Sequence, residues 1–104
     1  MFSLKTIAAA AVLILGAAAP ALAANHAVTI KGMKFWPANI TIAAGDTITF
    51  TNQDSAPHNA TAADGSFATP RLSKGQSARV TVAAGTHSYI CTIHPMMKGK
   101  VTAK

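Results

Sequence analysis

The chain has 104 residues, a single cysteine, and nine lysines and arginines against three acidic residues. That length allows one domain, and one cysteine excludes an internal disulfide. The cations are scattered and accompanied by six aromatic residues, which excludes the concentrated basic surface with stacking aromatics that nucleic acid requires.

Residues 1–23 read as an export signal. Lys5 supplies a positive start, Ile7 to Ala19 form an apolar run, and Ala21-Leu22-Ala23 gives a small-residue cleavage site. A membrane span needs roughly 20 apolar residues, and Pro20 closes this run first. Cleavage after Ala23 leaves residues 24–104 as one domain without a membrane span, delivered to the periplasm; cleavage after Ala24 fits as well. Loss of Lys5 leaves eight basic residues, spread from Lys31 to Lys104. They bias the surface toward acidic partners or serve solubility.

A domain of about 80 residues is near the lower limit for a self-sufficient core, and small exported domains commonly compensate with disulfides. Cys91 cannot do that. A lone thiol in an oxidising compartment is open to damage unless something occupies it, so a dedicated role is expected for Cys91.

In chain order, apolar residues alternate with polar ones at the period of half-buried strands. Val28 and Ile30 flank Thr29. Ile40 and Ile42 flank Thr41, Ile48 and Phe50 alternate with Thr47, Thr49 and Thr51, and Ala78, Val80 and Val82 alternate with Arg79 and Thr81. Gly45-Asp46, Asp64-Gly65, Gly75 and Gly85 punctuate these runs as turns. Nothing after residue 24 keeps a helical period, so an all-β sandwich is expected.

Two segments break the alternation. Gln53 to Asn59 is polar with a Pro-His pair, and Cys91 to Lys98 packs thiol, imidazole and thioether between two strands. Cys91 and His94 can converge on one ion, and His58 can add a second imidazole from the other loop. Two histidines, a cysteine and a weakly bound methionine form the trigonal set of electron-transfer copper. Thiolate and thioether suit Cu(I) while imidazole suits Cu(II), so one geometry serves both oxidation states. Zinc would favour a stronger fourth donor than a thioether. Spacing alone leaves Met96 and Met97 as alternatives for that fourth position.

From Met33 to Lys104 the chain resembles the cupredoxins, the small type I copper proteins, and within them the amicyanin branch of the plastocyanin–pseudoazurin group. The resemblance is carried by Met33-Lys34-Phe35, by Gly45 to Asn52, by Asp54-Ser55-Ala56-Pro57-His58-Asn59 and by Cys91-Thr92-Ile93-His94-Pro95-Met96-Met97-Lys98-Gly99-Lys100-Val101. It implies a Greek-key β-sandwich binding one copper through His58, Cys91, His94 and Met97, with Met96 on the surface. It also implies that Asn59 ties the two ligand loops together. Three positions depart from the pattern or stand outside it. His87 replaces a frequent aromatic and reads as structural, Trp36 stands where a polar residue is common, and His26 reads as solvated in preference to a copper-binding terminus.

The expected function is therefore one-electron transfer, without an enzymatic step, by a monomer that meets redox partner proteins. By resemblance the donor is an amine dehydrogenase and the acceptor a c-type cytochrome. The edge of His94 would pass the electron, within an apolar patch of Pro57, Pro95 and Met96. The rival expectation, a module that stores or delivers copper, uses the same ligands.

Overall fold

The computed structural model describes residues 22–104. The expected export signal lies outside these residues except for Leu22 and Ala23. Eight strands follow in order: β1 (Asn25–Ile30), β2 (Phe35–Trp36), β3 (Asn39–Ile42), β4 (Thr47–Asn52), β5 (Thr61–Ala62), β6 (Ser77–Thr81), β7 (Gly85–Ile90) and β8 (Lys98–Ala103). They form two four-stranded sheets, ordered β2-β1-β4-β6 and β3-β8-β7-β5. The described residues contain no helix long and apolar enough to cross a membrane.

Alternation decides which side chains enter the space between the sheets. Val28 and Ile30 of β1, Ile48 and Phe50 of β4, Val80 of β6, Tyr89 of β7 and Val101 of β8 are buried, while their neighbours face outward. The pairings β1–β4 and β3–β8 are parallel, and the others antiparallel. Each parallel pair joins strands distant in sequence, which locks the two ends of the chain into the sandwich. Phe35 and Phe50 from one sheet meet Tyr89 from the other, edge to face, with centroids 4.8 and 5.4 Å from the Tyr89 ring. Such contacts add about 0.5–1.5 kcal/mol each beyond the area they bury.

The alternating runs thus form strands where expected. β2 and β5 escape a sequence reading because two residues cannot display a period.

One register pair governs the shape of the core beside β8. Tyr89 lies opposite Gly99, and a Cβ at Gly99 would run into the Tyr89 ring. The ring therefore lies flat over the glycine, where its hydroxyl is buried without a hydrogen-bond partner.

Candidate metal centre

The inward parity of β4 does not end with Phe50. It carries Asn52 inside as well, fully buried. A buried amide must be satisfied, and here each end of it finds partners. Its Nδ2 donates to the Ala56 and Leu72 carbonyls, both at 2.9 Å, and its Oδ1 accepts from Asp54 N at 2.9 Å. The loop after β4 is thereby folded back on the strand end. His58 then exchanges two backbone hydrogen bonds with Leu72, at 3.1 and 2.7 Å, which fixes the backbone that carries its imidazole.

On the other sheet, β7 directs His87 and Tyr89 inward, and the same parity brings Cys91 into the interior just past the strand end. The turn from Cys91 to Met97 is closed by Met97 N–H on the His94 carbonyl at 3.0 Å and by Cys91 N–H on the Met97 carbonyl at 3.2 Å. Asn59 fastens this turn to the first loop. Its Nδ2 donates to Thr92 Oγ1 at 2.7 Å, and its Oδ1 accepts from Thr92 N at 2.9 Å.

Between the loops three donors meet. Cys91 Sγ lies 3.8 Å from His58 Nδ1 and 3.8 Å from His94 Nδ1, and the two Nδ1 atoms are 3.1 Å apart. His58 and Cys91 are fully buried, and His94 is partly exposed. Metal bonds of about 2.0 Å to nitrogen and 2.3 Å to sulfur set a trigonal nitrogen and sulfur about 3.7 Å apart, close to both sulfur edges, and two nitrogens about 3.5 Å apart, so the 3.1 Å nitrogen edge calls for a slightly narrowed angle. The residues present therefore fit a single ion held by two imidazoles and a thiolate. Among the described residues this is the one group of His, Cys, Asp and Glu side chains able to hold a metal.

The neighbouring methionines differ sharply. Met97 is 2% exposed and Met96 73%, so the turn offers one thioether to the interior and the other to solvent.

Sequence reasoning does not single out Asp54. Its Oδ2 accepts a hydrogen bond from His58 Nε2 at 2.9 Å, while its two oxygens also receive Gly32 N–H and Met33 N–H at 2.8 and 2.9 Å. Partial burial pushes this carboxyl up, but donation from Met33, Gly32 and His58 outweighs it and holds the acid below its ordinary value of 3.8. An ionised carboxylate can only accept, so the proton of His58 sits on Nε2 and the Nδ1 lone pair faces Cys91. The four-residue spacing of Asp54 and His58 was the one available signal.

His87 is buried, with Nδ1 on Asp64 at 2.6 Å and Nε2 on the Ala83 carbonyl at 2.8 Å; it stands apart from the metal-binding group. Trp36 is half-exposed, its Nε1 donating to the Lys31 carbonyl at 3.0 Å and its ring beneath Lys34 Nζ. With Met33, Phe35, Ala38, Met96 and Met97 it lines an apolar groove beside the site, flanked by Lys34 and Lys98. His26, read from the sequence as solvated, is instead tied to Asp46 at 2.9 Å, because the turn after β3 brings that carboxylate against the start of β1.

Comparison with known proteins agrees with this geometry. The cupredoxin-like domain model matches residues 5–103. Amicyanin-alpha of Methylorubrum extorquens is 39% identical over 88 residues, covering 79% of this chain and 74% of that protein. Amicyanin of Paracoccus denitrificans is 34% identical over 83 residues, covering 74% of this chain; the match spans only 63% of that relative's length. A solved methionine-to-alanine mutant of amicyanin, described as Cu(I), superposes with a TM-score of 0.71 at 32% identity, covering 77% of this chain and 82% of that one.

Proposed function

Because this chain belongs to the cupredoxin-like family, we propose that it is an electron carrier and not an enzyme, binding one type I copper through His58, Cys91, His94 and Met97. Copper supplies a one-electron couple at that position. The observation that carries the reading is the triangle of His58 Nδ1, His94 Nδ1 and Cys91 Sγ, on a turn whose Met97 is buried.

The chain's own residues hold the donors rather than move them. Asp54 fixes the His58 tautomer, Asn52 and Leu72 fix its loop, and Asn59 fixes the turn that carries Cys91 and His94. A frame that changes little between oxidation states keeps the reorganisation cost of electron transfer small. Buried His58 and Cys91 exclude water from two of the three donors. His94 reaches the surface, and its ring edge is the route by which the electron enters and leaves.

Met96, at that surface, provides an apolar contact for brief encounters, of the kind that bury little area. Residues 1–23 act as the export signal, with cleavage after Ala23, and the mature monomer works in the periplasm. Its donor is an amine dehydrogenase and its acceptor a c-type cytochrome, a reading that rests on the sequence resemblance alone.

The copper-loaded protein is expected to absorb strongly in the red, with the narrow copper hyperfine splitting of a thiolate-bound Cu(II) in its electron paramagnetic resonance spectrum. A colourless Cu(II) form overturns the assignment. The rival reading, storage or delivery of copper, requires rapid exchange; release to a chelator within seconds would favour it over a carrier that retains its metal.

A further inference from the structure

The residues that follow Ala23 are Ala24, Asn25 and His26. A chain with a free amine and histidine in third place offers four nitrogens to one ion: the amine, the second and third amides, and imidazole Nδ1. They close two five-membered chelate rings and a six-membered one at the corners of a square. Square-planar nitrogen donors select Cu(II) and Ni(II) among first-row divalent ions.

In this fold the two ends of that tripeptide already meet at one carboxylate. Ala24 N–H donates to Asp46 Oδ1 at 3.0 Å, and His26 Nε2–H donates to Asp46 Oδ2 at 2.9 Å. With the proton held on Nε2, the lone pair lies on Nδ1, the nitrogen that the six-membered ring uses. A carboxylate behind a ligating imidazole is the usual device for fixing its tautomer and orientation. Asp46 is itself buried, and Ala43 N–H anchors it at 3.2 Å.

The strand end can curl around an ion. Ala24 and Asn25 are exposed, and β2 covers the outer edge of β1 only at Thr29 and Ile30. The backbone hydrogen bond from Thr47 N–H to the Ala24 carbonyl, at 3.0 Å, and the pairing of Asn25 and His26 with Thr47 and Ile48 are released when it does so. The rest of the β1–β4 register, from Ala27 opposite Thr49 onward, remains available.

We propose that the terminus left by cleavage after Ala23 is a second metal site, binding one Cu(II) or Ni(II) through Ala24 N, the amides of Asn25 and His26, and His26 Nδ1. The inference takes its starting residue from the export reading above. Binding releases three protons, one from the terminal ammonium and two from the amides, and transfers no electron. Ala24 N leaves Asp46 Oδ1 for the metal, while the bond from His26 Nε2 to Asp46 Oδ2 stays in place. Because β1 and β4 run parallel, this terminus lies at the far end of β4 from the His58 loop, on the order of 17 Å along a six-residue strand. The two sites fill independently.

The test uses the exported protein with copper already bound. The intact mass of the mature chain gives its first residue. Titration with Ni(II) is then expected to show one equivalent taken up, with the yellow band of square-planar nickel and no change in the red copper band. His26→Ala is expected to bind none, and so is a chain with one extra residue ahead of Ala24, which puts the imidazole in fourth place while leaving β1 intact. A chain that begins at Ala24 and takes up no Ni(II), or a His26→Ala variant that binds as well as the parent, overturns the site. A mass showing a different first residue overturns it for the exported protein through the start point. Ni(II) titration of a chain trimmed to Ala24 by a site-specific protease then separates that failure from a failure of chelation.

Discussion

The Asp54 carboxylate, 2.9 Å from His58 Nε2, decides which nitrogen of His58 faces Cys91. The same carboxylate holds Gly32 N–H and Met33 N–H, so one group aligns the imidazole and pins the turn after β1. Removing an orienting partner of a ligating imidazole typically costs about 10–100-fold in metal affinity. Asp54→Ala is expected to lower copper affinity by that factor while the protein stays folded, as read by competition with a chelator. Unchanged affinity would show that His58 needs no such partner.

The two methionines of the turn should separate cleanly. Met97 is buried and Met96 exposed. Met97→Ala is expected to change the visible spectrum and reduction potential of the copper form, and Met96→Ala to leave both as they are. The reverse result would assign the fourth ligand to Met96.

His87 has an acceptor at each nitrogen, Asp64 at one and the Ala83 carbonyl at the other. Only the imidazolium can donate to both. The Ala83 carbonyl, then Asp64, raise the His87 pKa above 6.5. Hydrogen bonds from Ser66, then His87, bring Asp64 down to about 2. The raised histidine contributes stability that is complete below pH 6.5 and is lost as pH climbs through its folded value. The lowered acid contributes above 3.8 and loses its share as pH falls toward about 2. The stability difference between parent and His87→Gln, measured by urea unfolding, should therefore be largest between about pH 4 and 6.5. A difference independent of pH would show that His87 acts by packing alone.

Tyr89 presents a hydroxyl to the core that nothing accepts or donates to. Leaving a buried polar group unpaired costs about 1–3 kcal/mol. Tyr89→Phe is expected to raise stability by about 1 kcal/mol at the low end of that range, with an unaltered copper spectrum. A loss of stability on thermal unfolding would contradict this.

Gly99 gives the opposite expectation. A methyl group there meets the Tyr89 ring, and forcing extra carbon into a packed core costs about 1–3 kcal/mol. Gly99→Ala should lose at least that much. In a Tyr89→Ala background, where the ring is gone, most of the penalty from alanine at position 99 should vanish, which a double-mutant cycle can read.

Much of the sandwich is written in the chain as alternation. Thr47 to Phe50 shows its buried face in four residues, whereas Phe35–Trp36 and Thr61–Ala62 are too short to show any period. Three of the candidate donors, His58, Cys91 and His94, are visible because soft and borderline ligands stand close together in loops, and resemblance was needed to rank Met97 over Met96. The carboxylates behind the histidines were far less legible. Asp46 lies 20 residues from His26 and Asp64 lies 23 from His87, and such pairs arise from strand register, which no local pattern records. Trp36 was unexplained by sequence and proves to be the wall of a groove.

Those histidine contacts have one more consequence. Asp46, Asp54 and Asp64 are the only acidic side chains in the chain, and each bonds to an imidazole, Asp64 while half-exposed. Among the described residues no lysine or arginine forms an ion pair with any of them. The eight lysines and arginines beyond the expected export segment thus outnumber the three carboxylates and are not neutralised by them, so the surface field is predominantly positive. At cellular ionic strength such a field reaches about 8 Å before it is screened. Within that distance a negatively charged surface is drawn in before any contact forms, while a second copy of the same molecule is pushed away.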